Sequence, residues 1–252
     1  MKNSTYFFIV FFLFVKGYTQ NKERILMVGN SFTFYYNLPM TIEQFAKSRQ
    51  LDWRVEQSTA SGATLKQHWN SEKGLKTTKK IQRKKYTRLI FQEHSSYPLI
   101  APDSTEKYLN KLYSKTSPKS QKYLYATWSY PKILKDPSAA PPKSVAIENA
   151  LQVIKPSETV ELLPVGKAFD LFRSRFPEQT LFTSDTKHPN SVGSYLAACV
   201  IFGKISGKST LGLLRRFSSK NVKGKEIYYF IVEKRMAKQC QEIADEVLFG
   251  KD

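Results

Sequence analysis

Short apolar segments alternate with helical segments along this chain, and this alternation limits its fold more than any other feature. Each apolar segment is short enough for a strand and is typical of one that is buried in a sheet. The predicted strands are residues 24–28, 53–57, 86–92, 123–128 and 160–163, and the predicted helices are residues 38–50, 104–114, 144–154, 167–175, 191–205 and 227–248. Since no internal repeat is present, we expect an α/β fold with a parallel central sheet covered on both faces. Ligands of such folds bind beyond the carboxyl ends of the strands.

Residues 1–20 have the layout of a secretory signal peptide. The basic Lys2 precedes an apolar run at residues 6–15, and small or polar residues follow, which places the expected cleavage between Gly17 and Asn21. The run is too short to cross a hydrocarbon core of about 30 Å. We expect an exported protein, periplasmic or extracellular, with no stable membrane span after cleavage; a retained membrane anchor is the alternative. Residues 21–252 are then expected to form a single domain.

Ser31 follows the first predicted strand directly, within Gly29-Asn30-Ser31. A serine at a strand-to-helix turn exposes its hydroxyl at the edge of the sheet where ligands bind. The hydroxyl becomes a nucleophile when a neighbouring base accepts its proton. The alternative is that Ser31 only caps the helix that follows, a common position for serine.

Asp185 and His188 lie together in a turn just before the helix predicted at residues 191–205, and Pro189 bounds that turn. An Asp three residues before a His can accept a hydrogen bond from the second ring nitrogen and so orient the imidazole as a base. The alternative is that Asp185 caps the turn and His188 is a solvated loop residue.

Two further residues follow strands and can donate hydrogen bonds. Gly62 comes after the second strand, and a glycine lets a backbone N–H approach a ligand closely, as an oxyanion hole requires. Gln92 ends the third strand, and its side-chain amide is a second candidate donor. The alternatives are an ordinary turn glycine and a polar side chain that satisfies strand-end backbone groups.

The order of these residues along the chain resembles the SGNH, or GDSL-type, serine hydrolases. The strings that carry the resemblance are GNSFTFYYNLP, ASGATLKQHW, LIFQEHSS and DTKHPNSVGSYLAA, and the resemblance runs from Ile25 to about Phe202. The resemblance implies a flavodoxin-like α/β/α fold in three layers. It also implies hydrolysis of esters, often acyl groups such as acetyl on carbohydrates, by a secreted enzyme that needs no cofactor.

The resemblance also implies the role of each site residue. Ser31 corresponds to the nucleophile, His188 to the base and Asp185 to the acid that orients it, while the amides of Ser31 and Gly62 correspond to oxyanion donors. Two positions depart from the family pattern. Asn30 replaces the usual Asp, and Gln92 stands about where an Asn donor is expected.

Charge is the second prominent feature. The chain has 40 Lys+Arg and 21 Asp+Glu, a formal net charge of +19, and residues 73–88 hold eight basic residues and no acidic one. This run is either a solvated helix face or a surface that attracts an anionic ester substrate such as a polysaccharide. Nucleic acid is not an expected partner, because the sequence has no helix-turn-helix, RNA-binding aromatic motif or zinc finger.

A catalytically silent carbohydrate-binding protein on the same fold is the alternative to an esterase, and nothing in the sequence suggests peptide specificity.

The remaining histidines and the cysteines leave alternatives open. His94 is either a substrate contact or a structural residue, and His68-Trp69 is either a sugar-stacking edge or a pair that covers the core. The three histidines lack the spacing of metal ligands, and no phosphate-binding glycine loop is present, so no metal is expected. Cys199 and Cys240 are either a disulfide or two buried thiols.

Overall fold

In the computed structural model, five parallel strands form the central sheet of the protein. The structure describes residues 22–83, 85–131, 133–134 and 143–250. The strands are β1 (Glu23–Gly29), β2 (Trp53–Thr59), β3 (Arg88–Phe91), β4 (Gln121–Tyr125) and β5 (Glu161–Leu163). Their order across the sheet is β2-β1-β3-β4-β5. The predicted parallel α/β fold is confirmed. The signal peptide predicted at residues 1–20 lies outside the described residues and stays a prediction.

Strand β1 lies inside the sheet, between β2 and β3. Its residues Ile25, Leu26, Met27 and Val28 are all fully buried. Helices cover both faces of the strand, so every side chain enters an apolar layer whichever face it points to. This explains why the segment is a continuous apolar run and does not alternate with polar residues.

The helices form two layers around the sheet. They are α1 (Ser31–Phe34), α2 (Leu38–Ser48), α3 (Leu65–Trp69), α4 (Thr77–Arg83), α5 (Tyr97–Ile100), α6 (Pro102–Tyr113), α7 (Ser144–Ile154), α8 (Val165–Arg175), α9 (Ser191–Ser206) and α10 (Lys234–Phe249). Helices α2, α8, α9 and α10 pack together in one layer, whereas α3, α6 and α7 belong to the other. The change of direction between β2 and β3 in the strand order requires this division when the crossovers are right-handed.

The helix predicted at residues 227–248 is wrong in its first turns. The segment Glu226–Ile231 is a strand, β7, which pairs antiparallel with β6 (Arg216–Lys220). Its β-branched and aromatic residues favour a strand. Helix α10 begins at Lys234, after Glu233 accepts a hydrogen bond from the Met236 amide as its cap. The helical apolar stripe of α10 continues the apolar residues of β7, which hid the boundary between the two elements.

The basic run at residues 73–88 spans the loop before helix α4, the helix itself and the start of β3, where Arg88 forms an ion pair with Glu23. Helix α4 lies inside it, with Thr77 and Ile81 buried while Lys76 and Lys79 are exposed. This part is a solvated helix face, one of the two alternatives considered from the sequence. Lys73 precedes the helix and instead donates a hydrogen bond to the Ser61 carbonyl, in the segment that follows β2.

Cys199 on α9 and Cys240 on α10 are both buried and free. Burial raises the pKa of both thiols, so neither is a ready thiolate. Of the two alternatives left open by the sequence, the described structure contains the pair of buried thiols. None of the described helices is long and apolar enough to cross a membrane.

Candidate active site

The sheet order brings the candidate residues to one edge. Because β1 lies between β2 and β3 and all three run in parallel, their carboxyl ends are neighbours. The segments that follow these strands carry Ser31, Gly62 and Gln92. The residues predicted from separate parts of the chain therefore meet at the carboxyl edge, where ligands of such sheets bind.

Ser31 begins the short helix α1 immediately after β1. The Asn30 side chain caps this helix by accepting a hydrogen bond from the Phe32 amide at 3.1 Å. Gly29 is required at the end of the strand, because a Cβ there would collide with the Thr33 hydroxyl and the Gln92 amide oxygen. Tight packing under the turn thus holds Ser31 at the start of the helix, with only 5% of its surface exposed.

Ser31, His188 and Asp185 form a continuous hydrogen-bonded chain. The Ser31 hydroxyl lies 2.9 Å from His188 Nε2, and His188 Nδ1 lies 2.5 Å from Asp185 Oδ2. In a neutral imidazole, Nδ1–H then donates to the carboxylate while Nε2 accepts from the serine hydroxyl. This tautomer is the one that can accept the serine proton.

Asp185 is held as a carboxylate. Its Oδ1 accepts hydrogen bonds from the backbone amides of Lys187 and His188, both at 2.9 Å, and from the Thr183 hydroxyl at 2.8 Å. Desolvation alone would raise the pKa of Asp185, but the hydrogen bond from the His188 ring and these further bonds outweigh it and hold the pKa well below its usual range. The ionised group can therefore stabilise a charged imidazolium.

Aromatic rings that the sequence analysis did not single out surround His188. Tyr35 stacks on the imidazole with centroids 4.6 Å apart, and Phe32 meets it edge-on at 5.5 Å. Phe32 in turn stacks on Trp128 at 4.4 Å, and Trp128 Nε1 donates to the Lys187 carbonyl at 3.0 Å. The only signal in the sequence was the position of Phe32 and Tyr35 directly after Ser31.

Two backbone amides are placed as candidate oxyanion donors. Gly62 has φ +58°, a conformation that favours glycine, at the end of a turn in which the Ala63 amide donates to the Ala60 carbonyl. Asn30 Nδ2 donates to the Ala63 carbonyl at 3.0 Å and so links this turn to the serine loop. Within the described residues, neither the Ser31 amide nor the Gly62 amide donates to another group.

The predicted oxyanion role of Gln92 does not fit this geometry. Its side chain is fully buried, and Oε1 accepts hydrogen bonds from the Asn30 amide and the Thr33 hydroxyl, both at 2.9 Å. Its Nε2 donates to the Glu93 carbonyl. Because the side chain is fully buried, with Oε1 bracing the serine loop and Nε2 donating to the neighbouring Glu93, the amide is not presented to a substrate oxygen.

His68 is a structural residue. It is fully buried, with Nδ1 2.7 Å from the Thr77 hydroxyl and Nε2 3.0 Å from the Gly29 carbonyl. A carbonyl can only accept, so Nε2 carries the proton in this pair. Burial lowers the pKa of His68 to about 4, despite the opposing effect of the hydrogen bond to Gly29. A sugar-stacking role for this ring is therefore wrong.

A cavity of about 550 Å³ lies beside the hydrogen-bonded chain. Gly62 and Lys73 line one part of it, Asp185 and Lys187 line another, and His94 also lines it. His94 is thus placed where a substrate could touch it, one of the alternatives left open by the sequence. Among the described residues, no cluster of three or more His, Cys, Asp or Glu side chains could hold a metal ion.

Solved structures with the same architecture come from bacteria. A DUF4886 family protein from Bacteroides uniformis superposes with a TM-score of 0.66 at 15% identity, over 92% of this chain and 97% of that one. A candidate SGNH hydrolase from Slackia heliotrinireducens gives 0.58 at 24% identity, over 73% of this chain and 100% of that one. The chain has the SGNH hydrolase fold.

The same fold occurs in a GDSL lipolytic family member from Veillonella parvula, with a TM-score of 0.54 at 14% identity, over 73% of this chain and 98% of that one. The resemblance to SGNH and GDSL-type proteins is thus confirmed at the level of the fold. No protein-family model matches the sequence, and no curated protein matches it.

Proposed function

We propose that this SGNH-fold protein is a serine ester hydrolase. The observation that carries the proposal is the chain of hydrogen bonds from Ser31 through His188 to Asp185, at 2.9 Å and 2.5 Å. It is the arrangement that a serine nucleophile needs, and it lies at the carboxyl edge of the sheet beside a cavity large enough for a sugar-sized ligand.

The proposed reaction is a two-step acyl transfer. Ser31 Oγ attacks the ester carbonyl while His188 Nε2 takes its proton, and ionised Asp185 stabilises the resulting imidazolium. The amides of Ser31 and Gly62 hold the oxyanion. His188 then protonates the leaving alcohol, and water repeats the sequence on the acyl-enzyme to release the acid and restore Ser31.

The decisive experiment is hydrolysis of p-nitrophenyl acetate by the purified protein and by Ser31→Ala. We expect the wild-type chain to release p-nitrophenol and the variant to lose at least about 10³-fold in kcat. The nearby Ser61→Ala variant is the matched control, because Ser61 lies outside the hydrogen-bonded chain and should keep wild-type turnover. Equal turnover by wild type and Ser31→Ala would overturn the proposal.

The natural substrate we propose is an acyl ester, such as an acetyl ester, of a carbohydrate outside the cytoplasm. The mixture of hydroxyl, amide and aromatic groups around the cavity, among them Thr64, Gln67 and Tyr97, supports a sugar.

Export is tested by sequencing the N-terminus of the protein recovered from its native host. A mature chain that starts between residues 18 and 21 is expected, and an intact Met1 would contradict it.

A silent carbohydrate-binding protein is the second candidate, and one observation favours it. Gln92 is turned into the core, so the site has two backbone donors for the oxyanion and lacks the third donor that the family pattern has. Loss of one donor typically lowers kcat by about 10²- to 10³-fold. Glycan binding without hydrolysis of p-nitrophenyl acetate or of acetylated polysaccharides would support this candidate over the hydrolase.

A further inference from the structure

Two lysines, Lys73 and Lys187, line the cavity beside the hydrogen-bonded chain of Ser31, His188 and Asp185. We infer that this cavity selects a sugar bearing a carboxylate, held next to the ester that is cleaved. The effect of the carboxylate on catalysis rests on the proposed ester hydrolysis. Binding of the acidic sugar to the cavity does not, and it can be measured separately.

Lys73 lies against the proposed oxyanion donor. Its Nζ donates to the Ser61 carbonyl at 2.8 Å, and a Cβ built on Gly62 would lie 3.9 Å from that nitrogen. An ammonium group has three N–H donors, so two remain for a ligand. Lys73 itself has φ +51°, a left-handed backbone conformation that lysine rarely adopts. The backbone of Lys73 is therefore kept in an unfavourable conformation at the point where its charge lies beside Gly62.

Lys187 carries the second charge, in the turn of the catalytic histidine. Thr186, just before it, also has a positive φ, +58°. The Lys187 carbonyl is held by Trp128 Nε1, and its Nζ lies 5.2 Å from the centre of the Tyr130 ring. The backbone of this lysine is thus anchored within the site, and its ammonium group stands over an aromatic wall of the cavity.

Among the described residues, no carboxylate forms an ion pair with Lys73 or Lys187. Asp185 is the one acidic residue in the described part of the cavity wall, and its oxygens are occupied by His188 and by the turn that holds it. A carboxylate entering the cavity would therefore meet unpaired cations, and a neutral group would not gain from them.

The rest of the wall favours a sugar over a fatty chain. Half-buried Tyr97 lines the cavity with an aromatic ring, and Thr64 and Gln67 add polar groups. Rings that pack on the faces of a sugar while polar groups reach its hydroxyls are suited to a pyranose. An acylated uronic acid combines this ring with the carboxylate that the lysines require.

The test compares two ligands that differ only in charge: an O-acetylated methyl glucuronoside and its neutral carboxamide. Acetate release gives kcat/KM for each, and binding of the deacetylated pair to Ser31→Ala gives affinities that do not depend on catalysis. We expect the acid to be favoured at least about tenfold in both measurements, and less so as salt is added. Lys73→Gln and Lys187→Gln should each reduce the preference, and Lys73→Arg should retain it.

The control is Lys79→Gln, which removes an exposed charge from the same basic run without touching the cavity and should leave the preference unchanged. Thermal unfolding of each variant shows that it is folded. Equal binding and equal kcat/KM for the acid and the amide would overturn the inference even if p-nitrophenyl acetate is hydrolysed. Tight, selective binding of the acid without hydrolysis of any ester would support the inference of an acidic-sugar site and overturn the proposed function instead.

Discussion

At the scale of single residues, the imidazole of His188 is held at both nitrogens, and the two partners have different functions. In the proposed reaction Ser31 is the nucleophile, whereas Asp185 sets the tautomer of the imidazole and stabilises its charge. Removing the base should therefore cost more than weakening its support.

We accordingly predict that Asp185→Asn lowers kcat on p-nitrophenyl acetate by roughly 10²- to 10⁴-fold, and that His188→Ala lowers it at least as much. An asparagine oxygen can still accept from the Lys187 and His188 amides, so the turn should keep its shape. Steady-state kinetics and circular dichroism of both variants are the measurements. A His188→Ala variant more active than Asp185→Asn would contradict the roles of base and supporting acid.

Asn30 shows why one departure from the family pattern matters. Its Nδ2 donates to the Ala63 carbonyl, and a carboxylate at this position would place a negative oxygen against that carbonyl. The side chain is buried, with 3% of the residue exposed, so water cannot easily separate the two oxygens.

We predict that Asn30→Asp lowers kcat by about tenfold or more and reduces the free energy of unfolding by about 1–3 kcal/mol, although Asp is common at this position in the family. The Gly62 turn would lose its link to the serine loop. Kinetics and urea denaturation measure the two effects. If the variant matches wild type in both, the hydrogen bond to Ala63 does not position the turn.

At the scale of elements, the three-residue turn Tyr35–Asn37 between α1 and α2 places an aromatic ring on His188. Tyr36 and Asn37 both have positive φ, +48° and +57°, and this sharp reversal leaves Tyr35 stacked on His188 at 4.6 Å. The neighbouring Tyr36 is 43% exposed and lies outside the stack.

We therefore predict that Tyr35→Ala lowers kcat by about 3- to 30-fold, because the imidazole loses the ring that limits its orientation. Tyr36→Ala removes the same side chain from the next position and should change kcat by less than about twofold. Hydrolysis of p-nitrophenyl acetate by the two variants gives the comparison. Equal losses would mean that the turn as a whole matters and the stack on His188 does not.

At the scale of the whole molecule, two buried groups couple stability to pH in opposite directions. Burial raises the pKa of Glu93 to about 7, while hydrogen bonds from the amides of His94 and Leu65 limit the rise. Burial lowers the pKa of His68 to about 4. Glu93 thus contributes stability below about pH 4.5 that is lost as the pH rises to about 7. His68 contributes stability above about pH 6.5 that is lost as the pH falls to about 4.

Each shift corresponds to about 3 kcal/mol, so the two effects nearly cancel between pH 4.5 and 6.5. We predict that Glu93→Gln, which still accepts from the Leu65 amide, exposes the His68 effect. Its free energy of unfolding should rise by about 3 kcal/mol across this range. Urea denaturation at several pH values measures the slope, and exposed Glu106→Gln is the control. A Glu93→Gln slope equal to that of wild type would show that Glu93 does not titrate in this range.

The layered fold could be predicted from the sequence because a buried element shows a characteristic pattern of apolar residues within its own segment. Strand β1 is an unbroken apolar run, and α10 shows a helical apolar stripe through Cys240 and Ile243. The hairpin of β6 and β7 shows no such pattern. Phe230 is the one buried apolar residue of the hairpin, with Phe217 and Tyr229 partly buried against the core, so the apolar pattern of β7 is too short to separate it from helix α10.

The sequence places Ser31 and Gly62 after strands, and so at the carboxyl edge of the sheet, while its resemblance to the SGNH hydrolases assigns Asp185 and His188 to the same site. The contacts of each side chain there follow from the tertiary structure. Gln92 turns inward because its amide is the partner available to the Asn30 amide and the Thr33 hydroxyl, which burial would otherwise leave unsatisfied. Strand order follows from local pattern and general topology, whereas the direction of a side chain depends on hydrogen bonds between segments distant in the chain.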